Sequence, residues 1–164
     1  MISIREEKKL KDKKILLRLD LNVPLENGKI TDTTRIDKII PTLKFLIKQN
    51  SQIIILSHVG RPKGKFVNEL TLNPICKDLS KKLDQSIKLI TNNINEINNK
   101  DLFKNNDEKI IMLENIRFYP EEEKNDEKFV KKLSSLADIF INECFSCSHR
   151  NHASISGIPR YLPS

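Results

Sequence analysis

A chain of 164 residues that is 38% apolar and 31% charged has the balance of one globular domain with a real core, which excludes a disordered tail. No apolar run approaches the roughly 18 residues of a membrane span. The charged stretch 1–14 has no apolar h-region, so it reads as a solvated segment rather than a secretory leader. Twenty-nine Lys and Arg against 22 Asp and Glu leave a formal charge of +7, which suits nucleic acid and small anionic substrates alike.

The first element is ILLRLD at 15–20, a mostly apolar strand. Thr33 or Thr34 caps a helix, with Asp37 in capping-box position and Ile36, Ile39, Ile40, Leu43 and Ile47 at helical spacing. Pro41 should kink that helix. QIIIL at 52–56 reads as a buried strand. A loop with Gly60, Pro62 and Gly64 leads to a second helix opened by Asn73-Pro74, Asn at the cap. IKLI at 87–90 is a short strand, and the Asn-rich stretch 91–106 is a weak helix plus loop. KIIMLE at 109–114 is another strand. Asn125 or Asp126 caps a helix with Phe129, Val130, Leu133, Leu136 and Ala137 on one face, and ADIFIN at 137–142 is the last strand. Strands that are apolar along their length, alternating with helices, indicate a doubly wound parallel sheet with helices on both faces: a single three-layer, Rossmann-like α/β domain.

In such sheets ligands bind beyond the carboxyl ends of the strands. There the sequence puts Asp20 and Asn22 after the first strand, and His58 and Arg61 after the second. Arg117 follows KIIMLE; His149, Arg150 and His152 follow ADIFIN; Arg35 opens the first helix at the same edge. Four of the seven arginines thus share one rim, where guanidinium groups can grip phosphate or carboxylate bidentately. The plainer reading is that these arginines pair with Glu114, Glu143 or Asp20. Lys outnumbers Arg in the charge excess, and the aromatic content is only 5% with no Trp, so base stacking has little to build on. A nucleic-acid module remains the alternative.

GRPKGK at 60–65 is not a phosphate loop of the Walker type, because its glycine spacing is short and Phe66 follows the lysine. Cys144 and Cys147, with His149 and His152 close behind, have metal-ligand types, but all four fall within a few residues, unlike the separated pairs of a structural zinc site; a metal site or a redox dithiol at this pair is a third possibility. Three cysteines, an odd number, fit a reducing cytoplasm with inert thiols better than a disulfide framework.

The segments RLDLNVPLENGKITDTTRI at 18–36, LSHVGRPKG at 56–64, LENIRFYPEEEKND at 113–126 and HRNHAS at 149–154 resemble, in order and spacing, the N-terminal domain of phosphoglycerate kinases. The resemblance implies a cytoplasmic, monomeric glycolytic transferase that moves a phosphoryl group reversibly between 1,3-bisphosphoglycerate with ADP and 3-phosphoglycerate with ATP. Residues 1–164 would be its phosphoglycerate-binding domain. Asp20 and Asn22 would meet the glycerate end of the substrate, and His58, Arg61, Arg117 and Arg150 its 3-phosphate. Leu21, Val59 and Gly60 would be binding neighbours in the same motifs, and Arg35 would be the catalytic charge on the transferring group. ATP or ADP with Mg2+ would belong to a second domain, in the same chain or another, since the family is more than twice as long; no metal site is expected here. Where the family often reads DAFGTAHRAHAS, this chain reads ECFSCSHRNHAS. Ser146 in place of glycine would be strained if the backbone there needs positive φ, and Asn151 stands for alanine.

Overall fold

In the computed structural model, residues 10–105 and 107–164 are described; the first nine residues of the charged N-terminal segment lie outside them. Five parallel strands form one sheet: β1 (Lys14–Leu19), β4 (Gln52–Leu56), β5 (Ile87–Ile90), β6 (Ile110–Leu113) and β7 (Ile139–Glu143). Their order is β5-β6-β4-β1-β7, and a two-residue-a-side hairpin, β2 (Leu25–Glu26) with β3 (Lys29–Ile30), lies outside it. This is the α/β architecture that the apolar strands predict.

The two-residue period of each strand splits its side chains between two cores. Ile15, Leu17, Leu19, Ile53, Ile55, Ile110 and Met112 face helices α1 (Thr34–Lys48) and α2 (Asn73–Leu83). Leu16, Ile54, Leu56, Ile111, Leu113 and Phe140 face α4 (Glu127–Ser134), which follows the single turn α3 (Pro120–Glu123). By the same parity Arg18 points to the α4 side, inside the second core.

The local signals act largely as their chemistry dictates. Asp126 caps α4 by accepting from the Phe129 N–H at 2.9 Å. α1 runs uninterrupted through Pro41, which lies on the exposed face, where water can take the carbonyl that loses its helical donor. Its opening turn is braced by Asp32, which accepts from the Thr34 N–H at 2.8 Å, while the Thr33 hydroxyl donates to Asp37 at 2.8 Å. The cap of α2 is Leu72, one residue before Asn73. Leu10 is buried, with its carbonyl accepting from Ser51 Oγ at 2.8 Å, so only residues 11–13 of the described N-terminal stretch are solvated as expected.

The Asn-rich crossover from β5 to β6 is the main departure: among its described residues it forms turns and one 3-10 turn, Asn99–Asp101, and no α-helix. Asn side chains take over backbone partners there. Asn93 Oδ1 accepts from the Asn95 N–H at 3.1 Å, and Asn98 and Asp101 close a reciprocal capping box. Such local bonds compete with the helical ladder, while Ile94, Ile97 and Leu102 still reach the α4-side core.

After β7 the chain makes a 3-10 turn, Phe145–Cys147, a π-helical turn, Ala153–Gly157, and a further 3-10 turn, Ile158–Arg160. It then returns so that the Pro163 carbonyl accepts from the Phe140 N–H of the edge strand at 2.9 Å. A Cβ at Gly157 would stand 2.4 Å from Val130 Cγ2 and 2.6 Å from Asn125 Oδ1. Val130 is β-branched and buried, so it has little room to yield. Gly157→Ala is therefore expected to lower unfolding free energy by about 1–3 kcal/mol, read as a reduced urea midpoint at unchanged slope.

Candidate functional site: a guanidinium-lined cup at the carboxyl edge

Because β1, β4, β6 and β7 pair in register, their ends at Leu19, Leu56, Leu113 and Glu143 form one edge. The loops leaving that edge carry the sequence-singled residues, and they are cross-tied by main chain and side chain. Ser57 Oγ donates to the Leu19 carbonyl at 2.8 Å and accepts from the Leu21 N–H at 3.2 Å. Asn22 Oδ1 accepts from the Gly60 N–H at 2.9 Å. Asn115 Nδ2 donates to the carbonyls of Val59 and Leu70 at 2.8 and 2.9 Å. Gly60 holds φ at +65°, which glycine tolerates at no steric cost, and its carbonyl accepts from Arg117 Nη1 at 3.2 Å.

The deepest group is one that the sequence reading passed over. Arg18, only 1% exposed, donates from Nε to Ser154 Oγ at 3.0 Å and from Nη1 to the Leu19 carbonyl at 2.7 Å. Its Nη2 meets His58 Nδ1 at 2.8 Å; a guanidinium has no lone pair to offer, so Nδ1 is the acceptor. Ser154 in turn donates from its N–H and hydroxyl to the fully buried Glu122 carboxylate at 2.9 and 2.5 Å. The parity of β1 was the available signal: an Arg inside an otherwise apolar buried strand must find partners or be expelled.

Burial, reinforced by the charges of Arg18, Arg117 and Arg150, pushes the His58 imidazolium down to about 2. His58 is thus a neutral ring. His152, 3.8 Å from Glu122, is also lowered, first by burial and then by Arg117. Glu122 is raised by burial, against the pull of Arg18 and of its two bonds from Ser154.

Arg117 is buried and Arg150 half-buried, and neither pairs with a carboxylate among the described residues. The Nε of each is buried with no hydrogen-bond partner. Burial and then the Arg150 charge press Arg117 toward its neutral form. Glu114, offered by the plainer reading as an ion-pair partner, is spent on Thr71 Oγ1, the Leu72 N–H and the Asn115 N–H at 2.6–2.8 Å. For Arg35 the plainer reading holds: Nη1 is paired with the Asp20 carboxylate, which also accepts from Ser146 Oγ at 2.7 Å. Arg61 is exposed and makes no hydrogen bond or ion pair among the described residues. Leu21 and Val59 are core residues, 0% and 2% exposed, and present only main chain to the cup.

Ser146 keeps a negative φ within its 3-10 turn, so serine there carries no backbone strain. Asn151 Oδ1 accepts from Asn125 Nδ2 and Ser156 Oγ at 2.8 and 2.6 Å, tying the last loop to the segment before α4. Among the described residues no group of three or more His, Cys, Asp or Glu is placed to share a metal ion, and no helix is long and apolar enough to cross a membrane.

Fold and site together define an α/β domain whose parallel sheet carries a cationic cup on its carboxyl edge. The family described as phosphoglycerate kinase matches residues 5–164, and the chain belongs to that family. It is 45% identical over 163 residues to the phosphoglycerate kinase of Dictyoglomus turgidum, covering 99% of this chain and 41% of the relative. The enzyme of Orientia tsutsugamushi is 46% identical over 155 residues, 94% of this chain and 38% of the relative. The structure of phosphoglycerate kinase from Coxiella burnetii superimposes with a TM-score of 0.87 at 36% identity, over 98% of this chain and 40% of that one. The chain thus spans about two fifths of the length of these relatives.

A histidine held neutral inside the fold ionises near its ordinary value of about 6.5 once unfolded. Below that pH the unfolded chain binds the extra proton, so stability falls as pH falls, by up to about 1.4 kcal/mol per pH unit from this group. The His58 ring resonances should stay flat from pH 8 to pH 5, and His58→Gln should lessen the stability lost over that range.

Proposed function

We propose that this chain is the phosphoglycerate-binding part of a phosphoglycerate kinase, acting in reversible phosphoryl transfer between 1,3-bisphosphoglycerate with ADP and 3-phosphoglycerate with ATP. The observation that carries the reading is the convergence of Arg18, Arg117 and Arg150 on a neutral His58, with two buried guanidinium Nε groups unpartnered. Charge of one sign gathered in a partly buried site favours an anion, and a planar phosphate or carboxylate suits the fork of a guanidinium.

In this reading Arg117 and Arg150 hold the 3-phosphate directly, with the exposed Arg61 joining from the rim. Arg18 supports the cup from beneath and keeps the His58 ring oriented, so that its other nitrogen can serve as a neutral donor to the same phosphate. Asp20 and Asn22 meet the glycerate end; Asn22 also fixes the Gly60 loop. Leu21, Val59 and Gly60 contribute through main chain alone. Arg35 leaves Asp20 to bring its charge against the moving phosphoryl group, where positioning and charge neutralisation supply most of the catalysis. The nucleotide with its Mg2+ supplies the phosphoryl donor or acceptor and would be held by a second domain, in the same chain or another. A cytoplasmic, glycolytic setting accompanies this reading.

Calorimetric titration with 3-phosphoglycerate is expected to saturate more tightly than titration with inorganic phosphate. Arg117→Ala should weaken 3-phosphoglycerate binding by roughly tenfold to a hundredfold, the loss of a charge-assisted hydrogen bond or two. Equal affinity for the two ligands, or an Arg117→Ala variant that binds as well, would sink the assignment. Residues 1–164 by themselves should show no steady turnover of MgATP and 3-phosphoglycerate in a coupled assay, because closure of two domains is needed to assemble the reacting groups.

A further inference from the structure

Cys144 and Cys147 are unused by the reading above. They stand at the two ends of the 3-10 turn that follows β7, with the Cys147 N–H donating to the Cys144 carbonyl at 3.1 Å. Closing such a four-residue turn brings its end Cα atoms within about 7 Å, and a disulfide needs roughly 4.4–6.8 Å. Both thiols pack with Ile155 in a small cluster of their own. Ser146 Oγ lies between them, 3.9 Å from Cys144 Sγ and 3.7 Å from Cys147 Sγ. Cys147 is 5% exposed, and residues 145, 146, 148 and 149 around it are exposed, so it sits one layer below the surface at the mouth of the cup.

The two thiols are electrically unlike. The neighbouring Cys144 thiol favours the Cys147 thiolate, and so do the charges of Arg18 and Arg117, against burial; Cys144 is driven the opposite way by the same neighbour and by burial. The third cysteine, Cys76, lies buried against α2, where burial pushes its thiol up to about 11. One thiol with anionic character beside a protonated neighbour is the arrangement of an attacking and a resolving cysteine.

We propose that Cys144 and Cys147 form a peroxide-oxidisable dithiol, with Cys147 attacking and Cys144 resolving. The Cys147 thiolate displaces hydroxide from hydrogen peroxide: the O–O bond breaks, an S–O bond forms, and the sulfur becomes a sulfenic acid as the peroxide is reduced. The Cys144 sulfur then attacks the Cys147 sulfur, the S–O bond breaks, and water leaves with the Cys144 proton. The sum is two thiols and one peroxide giving one disulfide and two waters. Because Arg18 and Arg117 serve both the thiolate and the proposed anion cup, an anion in the cup slows the first step; this second part rests on the reading given above.

The test is mass spectrometry of the whole chain after treatment with a few equivalents of hydrogen peroxide. A loss of two hydrogens should map to the peptide holding Cys144 and Cys147, with Cys76 still alkylable after denaturation. In Cys144→Ser the reaction should stop at a Cys147 sulfenic acid that dimedone captures; in Cys147→Ser the fast reaction should be gone. Oxidation no faster than that of Cys76, or a dimedone adduct on Cys144 in Cys147→Ser formed as fast as in the parent chain, would overturn the pair. Inorganic phosphate, at concentrations that bind calorimetrically, should slow the parent reaction severalfold. Phosphate that binds without slowing it would overturn the shared arginines, whereas phosphate that fails to bind would count against the anion cup and leave the dithiol result standing on its own.

Discussion

A guanidinium sealed inside a β-sheet face is the constraint around which the carboxyl edge is built. Arg18 occupies a strand position whose neighbours Leu17 and Leu19 point into one core, so the pleat sends its side chain into the other, beneath α4. Removing an ion from water costs several kcal/mol unless every donor is matched. Here the matches are the Leu19 carbonyl, the Ser154 hydroxyl and the His58 ring, with the Glu122 charge one hydrogen bond further on. Four separate segments are bound into one site by that requirement: β1, the loop after β4, α3 and the π turn.

The same arrangement sets the electrostatics. With the Glu122 carboxylate buried beneath Arg18, Arg117 and Arg150 carry charge without a carboxylate partner among the described residues, and His58 gives up its proton rather than add to the crowd. At the rim the balance is different. Asp20 holds Arg35 and is itself held by Ser146, which fixes where that guanidinium sits.

The sheet tolerates this because its two cores are unequal in kind. The α1–α2 side is faced by Ile36, Ile39, Leu43, Leu46, Ile75 and Leu79 on regular helices. The α4 side is assembled from a short helix, an Asn-rich loop and the C-terminal turns, pieces whose backbone bonds are closed locally by Asn, Asp and Ser side chains. The buried Arg18 lies on that side, where loop main chain and small hydroxyls meet its donors.

Strand and helix identities were legible from the sequence because they rest on short-range periodicity: five apolar runs, the α1 and α4 faces and the Asp126 cap need only neighbours a few residues away. The rim was legible for the same reason, since a parallel sheet delivers whatever follows each strand to one edge, and Asp20, Asn22, His58, Arg117 and Arg150 stand there. The Asn-rich crossover was not, as side-chain capping there outcompetes helix formation without changing the composition. Tertiary structure alone decided which arginines carry free charge. Arg35 and Arg117 are alike in sequence, yet one lies within reach of Asp20 and the other in a buried place where it pairs with no carboxylate among the described residues. It also decided that Arg18, Ser154 and Glu122, separated by up to 136 residues, share one buried network, because pairing across a fold depends on which face each strand turns inward and not on any spacing along the chain.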